Sequence, residues 1–223
     1  SEHSTRLRVT LAEGVSSWQV YKALSEIKFL SGKLENIPDE GTIAPASYDF
    51  VIGMTKEALI KKMQERQASI LNEAWNARQP NLPINTKQEA LILASIIEKE
   101  TSLKTERGKV SSVFVNRLLR EIALQTDASV VYGITRGKKV LGRGLRRSEL
   151  KKDTPWNTYV NKGLPPSPIG NPGKASIHAA LNPDITNYLY FVADGSGGHA
   201  FAENLREHNI NVAKWRKIEK TDN

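Results

Sequence analysis

TKQEALILASIIEKET, residues 86–101, carries more of the fold and the chemistry than any other stretch of the chain. Thr86 followed three residues later by Glu89 is a capping-box pattern, in which hydroxyl and carboxylate satisfy each other's free backbone N–H groups, so a helix opens here. Residues 90–97 are apolar nearly all round, and a helix of that kind has to be buried. This is also the longest apolar run, and it falls far short of the roughly 20 residues that cross a bilayer. Three charges then arrive together at the end of the most buried helix: Glu98, Lys99 and Glu100. Such a conflict between local pattern and burial marks a functional or strained position. At about 100° per residue, Glu100 shares a face with Leu93, Ile96 and Ile97, while Glu98 points about 200° away beside Leu91, Ala94 and Ser95. On that apolar stripe desolvation disfavours the anion, and the negative end of the helix dipole acts in the same direction. A carboxyl so placed can donate a proton near neutral pH. The plainer reading, that Glu98 and Glu100 are last-turn residues pairing with Lys99, Lys104 or Arg107, is left open by periodicity alone.

Upstream, Leu7, Val9 and Leu11 alternate as on a half-buried strand. Ser16 with Gln19 forms a second capping box, opening a helix that carries Val20, Tyr21, Leu24 and Ile27. A strand-like run at 48–52 closes this part. Residues 1–54 therefore read as a small α/β unit whose strand–helix–strand plan resembles a LysM-like wall-binding unit, and 55–223 as a catalytic domain. A long amphipathic helix is expected over 55–79, stopped by Pro80 and Pro83, with no flexible linker before it. A third strong helix runs from about 105 to 121 with Val110, Val113, Phe114, Arg117 and Leu118 on one stripe. Short β-like pieces are expected around 129–132. The proline-stiffened loop 163–173 is expected to share a cleft with Gln125 and Asp127. A β-hairpin is expected over 188–202 with Asp194-Gly195-Ser196-Gly197-Gly198 at its tip, and a basic helix near 212–217. The fold class is α+β, a small N-terminal α/β unit packed on a mixed helical and β domain.

The 223 residues are 39% hydrophobic and 25% charged, ordinary values for a folded domain. Without cysteine there is no thiolate metal site, disulfide or Cys nucleophile, and an oxidising compartment is compatible. The opening Ser1-Glu2-His3-Ser4-Thr5 suggests a targeting segment upstream. A net charge of +8 points to an anionic partner or surface, although solvated helix faces would also account for it. His3, His178, His199 and His208 lack metal-ligand spacing, and the hairpin glycines do not precede a helix as a phosphate-cradling loop would. The reading is thus of no metal and no cofactor. No helix-turn-helix or RNA-binding signature accompanies the charge, so nucleic acid is not the expected partner.

The ordered set ASIIEKET (94–101), SVFVNRL (112–118), LQTDASVVYG (124–133), NTY (157–159), GLPPSPIGNPG (163–173) and YLYFVADGSGGHAF (188–201) resembles the MltG (YceG-like) family of endolytic murein transglycosylases. The resemblance implies a single-pass protein of the bacterial inner membrane, anchored by an N-terminal helix upstream of this sequence. Its extracytoplasmic (periplasmic) catalytic region would cut nascent peptidoglycan beside the cell-wall synthesis machinery. By motif the catalytic acid/base falls on Glu100, and substrate-binding residues on Gln125, Asp127, Asn157 and Tyr159. Ordinary glycosidases use two carboxylates, whereas the family implies one. That group first protonates the MurNAc–GlcNAc oxygen and then accepts the proton of the MurNAc C6 hydroxyl as it closes a 1,6-anhydro ring. The aromatic rings of Tyr132, Trp156 and Tyr159 are candidates for covering sugar faces, core packing being the alternative for Tyr132. Two other readings compete. One is a non-catalytic wall-binding module. The other is a pyridoxal-phosphate lyase of aminodeoxychorismate, for which no Lys stands in a cofactor-binding pattern.

Overall fold

The structure, a computed structural model, describes residues 6–221. Residues 1–5, on which the expectation of an upstream targeting segment rests, lie outside it. β1 (Arg6–Thr10) opens the chain. Next is α1 (Ser17–Glu26), started by the Ser16/Gln19 capping box. β2 (Ser47–Val51) returns antiparallel to β1, with Leu7 opposite Phe50 and Val9 opposite Tyr48. α2 (Lys56–Asn76) begins at once, with the Thr55 hydroxyl accepting from the Ala58 N–H. Its first half completes the N-terminal core, where Leu59, Ile60 and Met63 pack with Val20, Leu24, Ile43 and Phe50. Its second half puts Leu71 and Ala74 into the main core. The division of the two cores therefore falls within α2, beyond the 54/55 boundary expected from sequence.

α3 (Lys87–Glu100) starts on the Thr86/Glu89 capping box, and residues 90 to 97 are all buried. α4 (Arg107–Leu119) packs beside it. α5 (Asp127–Thr135) occupies the place where β-like pieces were expected. The run Ser129-Val130-Val131-Tyr132 favours strand by propensity, but Ala128 and Tyr132, one helical turn apart, both pack on the main core. Tertiary packing overrides the preference. The short α6 (Arg147–Leu150) and the buried α7 (Lys174–Leu181), which packs against α3, were not expected. β3 (Tyr190–Ala193) and β4 (His199–Ala202) form the hairpin, and α8 (Leu205–Thr221) packs on it. Among the described residues no helix is long and apolar enough to cross a membrane.

The loop at 163–173 joins the two cores instead of walling a cleft with Gln125. The Asn171 amide donates to Val15 O (2.9 Å), and its side-chain oxygen accepts from the Ile43 N–H (2.9 Å). On the other side the Ile169 N–H donates to Ser95 Oγ of α3 (3.0 Å). Two of the charges at the end of α3 belong to this seam. Glu98 Oε2 accepts from the Gly173 N–H (2.9 Å), and Lys99 Nζ donates to Gly14 O (2.7 Å). The N-terminal unit is thus set rigidly against the end of the helix that bears Glu100.

Candidate active site

Glu100 is the last residue of α3, and the chain turns away immediately at Thr101, whose N–H still bonds Ile97 O. The facing wall is the start of α5. There Thr158 acts as a bracket: its Oγ1 accepts from the Thr126 N–H (3.0 Å), and its carbonyl from the Gln125 N–H (3.1 Å). Gln125 itself is held at φ 54°, a left-handed conformation uncommon outside glycine. This bracket aims the Thr126 hydroxyl at Glu100, and it donates to Glu100 Oε1. The carboxyl therefore has a hydroxyl as its partner, not Lys99, Lys104 or Arg107.

Burial raises the pKa of Glu100 above the usual glutamate value, and the negative charge of Asp127 adds to the effect. The Thr126 hydrogen bond and the field of His199 oppose it. Desolvation dominates, so the protonated acid is favoured. Glu100, Thr126 and Asp127 line a cleft of about 580 Å³ whose walls include Gln125, Tyr159 and Phe191. Tyr159 donates its hydroxyl to Asp127 Oδ1 (2.6 Å). Burial and the neighbouring carboxylate push the phenol up, which keeps it protonated and donating.

Asn157 does not reach the cleft. It is fully buried; its amide nitrogen donates to Leu150 O (2.9 Å) and Lys152 O (2.8 Å), and its oxygen accepts from the Tyr159 N–H (2.9 Å). Its polar groups are taken up in holding the loop that carries Tyr159, so the expected direct contact with substrate is replaced by a supporting one. Tyr132 and Trp156 also lie outside the cleft lining: Tyr132 bonds Glu40 Oε2 (2.9 Å), and Trp156 bonds Ser167 Oγ (2.9 Å).

Two further groups belong to the site. Arg117, buried in α4, donates to Leu189 O (2.7 Å) and Ala123 O (2.9 Å), tying β3 to the turn that presents Gln125. Its signal was a cation on an otherwise apolar helical stripe. Glu106 holds His199 twice, accepting from the backbone N–H (2.9 Å) and pairing with Nδ1 (2.8 Å). In the sequence His199 is one of four histidines without metal-ligand spacing, and Glu106 gives no signal at all. Among the described residues no cluster of three His, Asp or Glu is arranged to hold a metal ion, and no lysine lines the cleft.

By fold and site this is an α+β protein organised around one carboxyl that, among the described residues, forms no ion pair. The sequence profile of the YceG-like family matches residues 1–214, and the chain belongs to that family. It is 39% identical over 179 residues to a Bacillus subtilis protein named endolytic murein transglycosylase, covering 80% of this chain and 48% of that one. A Streptococcus pneumoniae serotype 2 protein of the same name is 34% identical over 182 residues, covering 78% of this chain and 32% of its own length. The chain thus spans about half or less of these curated relatives. The crystal structure of a yceG-like protein from Listeria monocytogenes aligns with a TM-score of 0.73 at 28% identity, covering 91% of this chain and 75% of that one.

Proposed function

We propose that this chain is the catalytic part of an endolytic murein transglycosylase, cleaving the MurNAc–GlcNAc β-1,4 bond of nascent glycan strands and leaving a 1,6-anhydroMurNAc end. The observation that carries the reading is Glu100: a largely buried carboxyl biased toward its protonated form, opening onto a cleft and, among the described residues, forming no ion pair. In the first step the acid proton passes to the glycosidic oxygen, and the C1–O bond breaks with the electron pair leaving on that oxygen. In the second, the carboxylate takes the proton of the C6 hydroxyl of the same MurNAc while that hydroxyl's oxygen bonds to C1, closing the 1,6-anhydro ring. Water is not consumed, and Glu100 ends protonated as it began. Asp127, with Tyr159 fixing one of its oxygens, supplies negative charge opposite the cationic sugar ring that develops between the steps. Gln125 offers an amide to the strand at the cleft wall.

The relatives' shared name supports this activity. The setting proposed with it, an extracytoplasmic (periplasmic) position at the bacterial inner membrane, an N-terminal anchor and work alongside the synthesis machinery, rests on the sequence resemblance alone. The absence of a lysine from the cleft lining gives a pyridoxal-phosphate reading no amine for a Schiff base there. Asp127 supports one rival, a two-carboxylate hydrolase. Mass spectrometry of digested peptidoglycan separates the two, because an anhydro end is lighter than a hydrated end by one water. Glu100→Gln should lower cleavage by about 10²- to 10⁴-fold with glycan binding retained, the usual worth of acid/base help. Hydrated ends would establish the hydrolase. Intact strands with retained binding by the unaltered protein would establish the wall-binding module. Full activity in Glu100→Gln would remove Glu100 from the chemistry.

A further inference from the structure

Residues 136–152, RGKKVLGRGLRRSELKK, hold eight Lys and Arg against one acidic residue, a net +7 where the whole chain carries +8. Nearly all of the excess charge therefore sits on one segment between α5 and the Tyr159 loop. The segment is tethered at both ends. Near its start, Gly137 O accepts from Ser16 Oγ (2.6 Å), and no Cβ would fit at Gly137, since one would lie 2.6 Å from Ser16 Cβ. Near its end, Leu150 O and Lys152 O are gripped by the Asn157 amide. Between them Arg143 bridges to Glu149 (2.7 Å), using up the one local carboxylate. Arg136 lies over the Trp156 ring, 3.7 Å from its centroid. Lys138, Lys139, Arg147, Lys151 and Lys152 are exposed and, among the described residues, form no ion pair.

At the tip, between Gly137 and Gly142, both at positive φ, the chain turns so that Val140 stands 81% exposed beside Lys138 and Lys139. A soluble polyanion would reward the cations and gain nothing from Val140. A bilayer interface rewards both, since cations meet lipid phosphates while an apolar side chain enters the headgroup boundary. We infer that the 136–152 platform docks on an anionic phospholipid surface, with Val140 inserted and Lys138, Lys139 and Arg147 on the headgroups. The inference is independent of the cleavage reaction. Because Asn157 holds both the platform's carbonyls and the Tyr159 N–H, docking would also fix the cleft mouth relative to the membrane surface.

The test is co-sedimentation with phosphatidylcholine vesicles, with and without phosphatidylglycerol, across a salt series, alongside binding to soluble polyglutamate. Binding is expected only to the anionic vesicles and should weaken with salt. At roughly fivefold per cation near the surface, Lys138→Ala/Lys139→Ala/Arg147→Ala should lower the partition constant on the order of a hundredfold. Val140→Ser should lower vesicle binding several-fold and leave any polyglutamate binding unchanged. Failure to bind phosphatidylglycerol vesicles would overturn the inference. So would polyglutamate affinity equal to vesicle affinity with Val140→Ser neutral toward both, an outcome that would assign the platform to a soluble polyanion. Cleavage of soluble glycan does not enter either readout, so the catalytic reading can fail or hold separately.

Discussion

Replacing Asn157 by alanine distinguishes a residue that contacts substrate from one that builds the site. The side chain is fully buried and makes three short hydrogen bonds, to Leu150 O, Lys152 O and the Tyr159 N–H. A net worth of about 1 kcal/mol for each puts the loss at roughly 3 kcal/mol, and more if the freed groups stay dry. For a chain of this size that lowers the melting temperature by on the order of 10 °C. Asn157→Asp should be worse still, because it keeps an acceptor for Tyr159 but turns an anion toward two carbonyls. Urea unfolding gives the stability, and binding to an uncleaved glycan fragment gives the contact. If Asn157→Ala unfolds at the wild-type midpoint yet loses glycan affinity, the side chain reaches the sugar and the supporting role is wrong.

Glu100 binds its proton more tightly folded than unfolded, so it costs stability as pH rises from the usual glutamate range through its raised folded pKa. Glu100→Gln should therefore be more stable than the parent at neutral pH, with the advantage fading as pH falls through the raised folded pKa to the usual glutamate value; a constant difference across that window would refute the assignment. Thr126→Val removes the hydrogen bond that favours the Glu100 anion and should move the alkaline limb of the cleavage profile to higher pH. Asp127→Asn removes the charge that disfavours that anion and should move the limb lower, though overall rate falls. Shifts in the same direction would mean that another group sets the limb. Gly170→Ala places a Cβ 2.7 Å from Gly14 O, a backbone atom that cannot swing aside, so limited proteolysis should cut sooner within residues 6–54, and an unchanged pattern would show the seam to be loose.

Local rules were enough wherever a residue's neighbours in sequence are also its neighbours in space. Ser16/Gln19 and Thr86/Glu89 announce α1 and α3 because a capping box closes within four residues. Helical phase likewise separates Glu100 from Glu98, and in the structure the two do face different surroundings, a cleft and the Gly173 N–H. What escaped depends on distant chain. Thr126 reads as turn chemistry until Thr158, 32 residues on, holds its N–H, and Asn171 reads as loop until Ile43 arrives from 128 residues away. The prolines around it point to stiffness but do not say which surface the loop meets. α7 was lost for a similar reason. Its eight residues begin directly after that loop and are helical because Ile177, Ala180 and Leu181 fill the space beside α3.

α2 runs 21 residues, about 31 Å, with one end embedded in each core and Gln67 between them bonding both Gly41 O and Pro172 O. A rod mortised into two blocks makes them a single cooperative unit. Cutting at 54/55 would strip Leu59, Ile60 and Met63 from the smaller core, a loss of the order of 5 kcal/mol, comparable to the whole stability of a small domain. Heating should thus produce one endotherm, not two. The same rod passes mechanical load: tension applied to the N-terminal unit would be borne by α2 and delivered to the packing around α3, so the molecule would yield as a whole or not at all.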